Sequence, residues 1–468
     1  MSAYEKLSAK LKKYNQSHLI RWWNELNTAE QEHLAAQIEG IDFHALSALI
    51  ASHVMKHPAP PMPDTFEPAP FFPLRPVDAS MEAYYDKAAE HGEALLRAGR
   101  VACLTVAGGQ GTRLGFDGPK GTYPIAPVTG KTLFNLFADA IARNQEKYGA
   151  RIHWFIMTSQ INNAATVKFF EDNGFFALDR DQVHFFIQGT MPAVGYDGKV
   201  LMESKSSLAL SPDGHGGTLW ALRTSGALDK MAECGIDFVS YFQVDNPLVP
   251  VVDPKFIGLH ALEKSQMSAI SLSKTGPFEK LGNFCTSHGR TWIIEYSDLP
   301  AELAESRNPD GSLLFVAGSP AIHVISRAFI EDLSANGKPG LPWHRADKKV
   351  GFIDENGEFV KPEQPNAVKF ESFIFDAMPM AERTMLLEAD RAEEFAPTKN
   401  ATGVDSAESC REMMVAQAKR RLSACGVDVS QAGLVEISPR RVVSDSDAAE
   451  YCAERGIKTV KGEKVYLE

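Results

Sequence analysis

From residue 82 onward, short, mainly apolar runs alternate with stretches of helical period, and this alternation constrains the fold more than any other feature. RVACLTVA (100–107), IHWFIMT (152–158), VHFFIQ (183–188) and DFVSYFQV (237–244) have strand length and scarcely a polar face. Between and before them, 82–98, 131–148, 161–173 and 217–234 carry apolar residues at helical spacing. Strands buried on both faces and separated by helices are βαβ units, which close as a largely parallel sheet covered by helices. The expected fold is an α/β, doubly wound, mixed but mainly parallel sheet of Rossmann-like kind. The second half is less regular: 268–296 reads as short β segments with turns, and 320–337 as a strand followed by a helix. Past 386 there is one clear helix, 406–423, with β-like pieces in GLVEISP and VKGEKVYLE.

Two flanks complete the expected organisation. Residues 3–55 read as three or four short helices, and HPAPPMPDTFEPAPFFPLRPV (57–77) holds eight prolines, which rules out a regular helix or central strand there. The expected division is an N-terminal helical region with its proline-rich linker at 1–80, a catalytic domain at 81–390 and a C-terminal α+β domain at 391–468. The chain carries 48 Lys+Arg against 60 Asp+Glu, a net charge of −12, so binding of nucleic acid or an anionic membrane through bulk charge is not expected. No stretch has the apolar length of a signal peptide or membrane span, and the six cysteines are scattered without a CxxC. A cytoplasmic protein with free thiols is the expectation, and nothing in the sequence points to a protein partner.

Directly after the first apolar strand comes GGQGTRLGFDGPKG (108–121). Ligands of open α/β sheets bind beyond the carboxyl ends of the strands. Gly108, Gly109 and Gly111 let backbone N–H groups approach phosphate oxygens, Arg113 offers a planar fork and Lys120 a movable point charge. These are parts for binding a triphosphate. The spacing is one residue too long for the dinucleotide fingerprint GxGxxG, and the Walker signature GxxxxGK[ST] is absent.

The loop GGQGTRLGFDGPKG resembles the signature of the UDP-sugar pyrophosphorylase family, nearest its eukaryotic-type UDP-N-acetylglucosamine branch. The resemblance spans most of residues 20–410 through RWWNEL and AEQEHLAAQIE, FIQGTMPAV, SPDGHGG, YFQVDNPLVPVVDPKFIG, IIEYSDL, VKFESFIFD and EEFAPTKNA, in that order. It implies a nucleotidyltransferase core and transfer of a uridylyl group from UTP to a sugar 1-phosphate, with Mg²⁺ and release of pyrophosphate. Such a reaction needs no protein nucleophile. Its barrier is charge repulsion between two anions, which cations, a metal and in-line positioning overcome.

By resemblance, Val106, Ala107, Gly108, Gly109 and Gly111 hold the nucleotide through backbone groups, while Arg113 and Lys120 neutralise the departing phosphates. Gln188 reads uracil with an amide that both donates and accepts, and Gly214 completes the base pocket. Asp245, at the end of DFVSYFQV, takes the metal together with phosphate oxygens. Lys369 and Lys399 correspond to later phosphate-contacting lysines. Glu295 accepts hydrogen bonds from sugar hydroxyls, and Phe373 and Phe375, alternating along FESFIF, form aromatic walls of an acetamido-sugar pocket.

Two sugar-contacting positions depart from the acetylglucosamine pattern: His215 in PDGHGG where those enzymes usually read PDGNGG, and Ser319 in AGS where they read AGN. N-acetylglucosamine 1-phosphate is the expected acceptor, and UDP-glucose or broad-range UDP-sugar chemistry stays open beside it. A non-catalytic UDP-sugar binding protein is the rival from another class. It is disfavoured by the joint presence of Arg113, Lys120, Asp245 and Lys369, since binding alone needs fewer charges.

Overall fold

The computed structural model describes residues 2–58, 62–335 and 340–468. They fall into two compact units: residues 1–62, 189–217 and 341–374 form the smaller, and residues 63–188, 218–340 and 375–468 the larger. The N-terminal helices are thus grouped with two later chain segments, an organisation that a division by chain order at 80 and 390 does not contain.

The larger unit is built on an 11-stranded mixed sheet. Its core is parallel: Phe238–Gln243 pairs with Val101–Val106, that with Trp154–Thr158, and that with Val183–Ile187. All four strands lie within the apolar runs read from the sequence. Val101, Ala102, Cys103 and Leu104 are at most 1% exposed, which is why this strand shows no polar face. Beyond Phe238–Gln243 the sheet turns antiparallel through His323–Ser326, Met267–Ser273, Ala317–Ser319 and Gly282–Ser287. The proline-rich segment supplies an edge strand, Glu67–Pro68, paired to Gly282–Ser287, where a missing N–H is tolerated. Ala59, Pro60 and Pro61 of that segment lie outside the described residues.

Helices cover the sheet. Leu133–Tyr148 starts at Thr132, whose side chain accepts the Asn135 N–H, and stops at Gly149, whose φ of +64° only glycine adopts easily. Ala79–Arg97 and Pro254–Leu262 touch backbone to backbone. A Cβ on Gly92 would lie 1.8 Å from the Pro254 carbonyl oxygen, and one on Gly258 would lie 1.7 Å from that of Ala88. The stretch 217–234, read as one helix, is two: Thr218–Thr224 and Ala227–Glu233, broken at Gly226 with φ +79°. At the C-terminus, Asp428–Ile437 and Thr459–Leu467 pair in parallel, with the helix Asp445–Arg455 between them in the chain.

The smaller unit has its own core. Leu7, Leu11, Leu19, Leu34 and Ile38 from the N-terminal helices bury against Val194, Leu208, Val368 and Phe370. Its main sheet joins His344–Lys348, Ala367–Glu371 and Val194–Gly195.

Candidate active site

In the larger unit the parallel strands bring the predicted nucleotide residues other than Gly214 to one edge. Val101–Val106 runs into Ala107–Gly111, Val183–Ile187 into Gln188, and Phe238–Gln243 into Val244 and Asp245. Since Gln243 stands opposite Val106 and Val106 opposite Met157, these carboxyl ends are level.

The glycine loop then folds back on itself. Gly111 N–H donates to Gly118 O at 2.9 Å and Lys120 N–H to Gly109 O at 3.1 Å, which lays Lys120 beside the glycines. Crowding explains two of the glycines. A Cβ on Gly108 would stand 2.9 Å from Gln188 Oε1, and one on Gly121 would stand 2.1 Å from the Phe134 ring. At the end of this hairpin Lys120 Nζ donates to Asp245 Oδ2 at 3.2 Å, the two side chains being 15% and 11% exposed. Arg113, in the short turn Thr112–Leu114, is exposed and meets no hydrogen-bond or ion-pair partner among the described residues.

Lys399 belongs to the same neighbourhood. Thr398 N–H donates to the Asp245 carbonyl at 2.8 Å, and Lys399 Nζ lies 5.9 Å from the centre of the Phe395 ring. Glu295 and Ser319 are brought together elsewhere in the sheet. Gly282 faces Ser319 across the ladder, and a Cβ on Gly282 would come within 3.8 Å of Glu295 Oε1. Phe375 is buried in the larger unit.

Four predicted residues belong to the smaller unit. Gly214 has φ +84° and faces the Ser372 carbonyl so closely that a Cβ would be 2.2 Å from its oxygen. His215 Nδ1 accepts the Ile374 N–H at 3.2 Å, and its ring lies 5.4 Å from that of Phe373, which in turn lies 4.5 Å from His344. Burial, helped by the neighbouring His344, pushes the His215 imidazole down to about 4, so it is neutral at pH 7 with its proton on Nε2. Lys369 points away from the core that its neighbours Val368 and Phe370 fill. Burial lowers its pKa against the pull of Glu371, and no acceptor or ion-pair partner meets it among the described residues. The alternation expected along FESFIF is not one strand face. The strand ends at Glu371, so Phe373 stands on irregular backbone in the smaller unit and Phe375 in the 3-10 helix Ile374–Met380, on the larger unit's side of the division.

The model of one protein family, described as UTP–glucose-1-phosphate uridylyltransferase, matches residues 74–420. The chain belongs to this family. As a uridylyltransferase it has relatives at similar length. A human UDP-N-acetylhexosamine pyrophosphorylase-like protein 1 is 35% identical over 100% of this chain and 96% of its own. UDP-N-acetylglucosamine pyrophosphorylase of Saccharomyces cerevisiae is 32% identical over 91% and 92%. Among solved structures, a UDP-N-acetylglucosamine pyrophosphorylase from Trypanosoma brucei superposes with a TM-score of 0.81 at 26% identity, covering 100% of this chain and 98% of that one. One from Entamoeba histolytica gives 0.75 at 30% identity, over 86% and 99%.

The uridylyltransferase has a bracing residue that motif reading passed over. Asn246 is 5% exposed; its Nδ2 donates to Glu394 O at 2.7 Å and its Oδ1 accepts from Ala396 N at 2.9 Å and Leu248 N at 3.3 Å. It fastens the turn holding Asp245 to the segment that leads to Lys399. Its position between Asp245 and Pro247 resembles an ordinary turn asparagine, and only the tertiary contacts distinguish it.

Proposed function

We propose that this uridylyltransferase moves the uridylyl group of UTP onto N-acetylglucosamine 1-phosphate. A phosphate oxygen of the sugar 1-phosphate attacks the α-phosphorus of UTP, the α–β bridging bond breaks, and its electron pair leaves on pyrophosphate. The observation that carries this reading is the Lys120–Asp245 contact at the end of the folded glycine loop, 3.2 Å across and largely shielded from water. An ammonium and a carboxylate so placed serve an anion and a cation at once. When phosphates arrive, the lysine has a competing acceptor, and the carboxylate becomes available to a hard cation.

The chemistry of the donor set fits Mg²⁺. No group of three or more His, Cys, Asp or Glu side chains placed to hold a metal ion exists among the described residues, so Asp245 offers one carboxylate. Mg²⁺ is typically held by one or two carboxylates with substrate phosphates and water. Asp245 would hold the ion, which when bound supplies neutralisation of phosphate charge. In this reading, within the larger unit, Arg113 and Lys120 take the β,γ-phosphates, Lys399 steadies the α-phosphate or the sugar phosphate, and Gln188 receives uracil. Burial lowers the Lys369 pKa, and an anion brought beside it would raise it again.

The acetamido preference is supported by the names of the relatives and by Phe373 beside the neutral His215. A second reading, UDP-glucose or broad UDP-sugar synthesis, is favoured at two positions, His215 and Ser319. A cytoplasmic setting accords with six free thiols. The test is pyrophosphate release from UTP with and without Mg²⁺, using N-acetylglucosamine, N-acetylgalactosamine and glucose 1-phosphates. A higher specificity constant for glucose 1-phosphate replaces the first reading by the second. Binding of UDP-sugar with no pyrophosphate release under any condition would leave only a binding protein.

A further inference from the structure

The turn after Trp154–Thr158 holds an asparagine to which the motifs assign no part. Asn162 is 0% exposed. Its Oδ1 accepts the Ser159 N–H at 2.8 Å, and its Nδ2 donates to the carbonyl oxygens of Ala107 at 2.9 Å and Gly109 at 3.3 Å. One buried amide therefore fastens the first two peptide carbonyls on that side of the glycine loop to the neighbouring strand end.

The consequence follows from peptide geometry. In a trans peptide the C=O and the next N–H point in opposite directions, and every peptide bond among the described residues is trans. Drawing the carbonyls of Ala107 and Gly109 toward Asn162 turns the N–H groups of Gly108 and Gln110 to the opposite side. Among the described residues no backbone or side-chain acceptor meets either N–H. In the same turn the Ser159 hydroxyl is buried without a hydrogen-bond partner, and its Cβ lies 3.6 Å from where a Gly108 Cβ would be. Unmet donors beside a rigid carbonyl anchor suit an anionic or carbonyl-rich ligand.

We infer that Asn162 is a positioning residue that aims the Gly108 and Gln110 N–H groups at the bound nucleoside triphosphate. This rests on the reading of the loop as the UTP site. Asn162→Ala removes both carbonyl anchors and should raise the KM for UTP about 10- to 100-fold, as loss of oriented donors does. The KM for the sugar 1-phosphate should change less than about 2-fold, a split that a general loss of folded protein does not produce. Asn162→Asp keeps the acceptor for Ser159 N–H but sets a carboxylate against two carbonyls. Its defect should shrink as pH falls, because a protonated carboxyl can donate to one of them.

A measurement on the unaltered chain removes dependence on variant folding: ¹⁵N chemical shifts of Gly108 and Gln110 during UTP titration. Downfield movement of both amides is expected. Saturable UTP binding with both amides unmoved, or Asn162→Ala that melts like wild type and keeps its UTP KM, overturns the inference and leaves the functional reading intact. A wild-type chain that takes up no UTP overturns the functional reading and the inference with it.

Discussion

Along the large sheet, the parallel strands that end at the glycine loop, Gln188 and Asp245 are crowded at the level of the backbone. The antiparallel region with Ser319 and, just past the strand Arg290–Ile294, Glu295 is close-packed at Gly282 as well, where a Cβ would lie 2.5 Å from the Ile293 side chain. It differs in that the groups assigned to the sugar by resemblance are side-chain ends. At the parallel end a single added methyl meets Gln188 or the Phe134 ring, and carbonyl anchors hold the loop. At the antiparallel end Ser319 is half-buried, and its hydroxyl meets the Ala321 N–H only at 3.4 Å. On the proposed function, phosphate handling is thus built into the fold, while sugar preference can change by substitution at a few side-chain ends.

The comparison breaks most decisively at Lys120. Lys120→Ala should lower kcat/KM by 10²- to 10³-fold, since one charged stabiliser of a transferring phosphate is worth about 2–4 kcal/mol. The substitution also leaves the largely shielded Asp245 carboxylate without its cation, so a lower melting temperature is expected, and activity is compared well below that transition. Turnover near wild type in Lys120→Ala would remove phosphate handling from this end of the sheet. Arg113, which meets no partner among the described residues, should on replacement by alanine retain full stability while losing activity in the same direction. Next in size, Gly108→Ala forces the Gln188 side chain to move, and should raise the UTP KM about 10-fold if, as proposed, that amide receives uracil. An unchanged KM would show that Gln188 does not depend on this close approach. Smaller again is Ser319→Asn at the antiparallel end. It should shift the ratio of specificity constants for N-acetylglucosamine and glucose 1-phosphates by about 3- to 10-fold, with catalysis otherwise preserved. A change in overall rate without a change in ratio would move Ser319 out of the sugar pocket.

What was legible in the sequence follows the same division. Strands buried on both faces announce themselves as apolar runs, so Val101–Val106, Trp154–Thr158, Val183–Ile187 and Phe238–Gln243 could be placed without coordinates. The glycine loop was legible because glycine spacing and two cations are local signals. Neither Asn162 nor Asn246 was, since an asparagine in a turn looks the same whether it caps its own backbone or bridges two chain segments. Helix Asp445–Arg455 carries its signals in Ser444, which accepts the Asp447 N–H, and in Gly456 at φ +60°. Its short, highly charged sequence masks the apolar face. The grouping of residues 189–217 and 341–374 with the N-terminal helices depends on contacts hundreds of residues apart, which periodicity does not encode.

The smallest effect concerns pH and tests whether the bracing around Asp245 is strained. Glu394, whose backbone oxygen receives Asn246, lines a cleft of about 430 Å³ shared with Asp253 and Asp390. Burial, reinforced by those two carboxylates, raises its pKa to about 8. An acid raised in this way binds its proton more tightly when folded, so the stability it contributes is present below about 4.5 and is lost as pH rises toward 8. His260 works in the opposite direction. Fully buried between the Ser268 and Ser326 hydroxyls at 2.7 and 2.9 Å, it is pushed down to about 3, and stability present above 6.5 is lost as pH falls toward 3. Replacing Glu394 with glutamine should therefore flatten only the alkaline side. The variant should gain about 1 kcal/mol over wild type in urea unfolding at pH 8 and nothing at pH 4, well below the full linkage value because the cleft admits water. An equal gain at both pH values would mean that the benefit is packing, and that Glu394 is not held protonated beside the turn of Asp245.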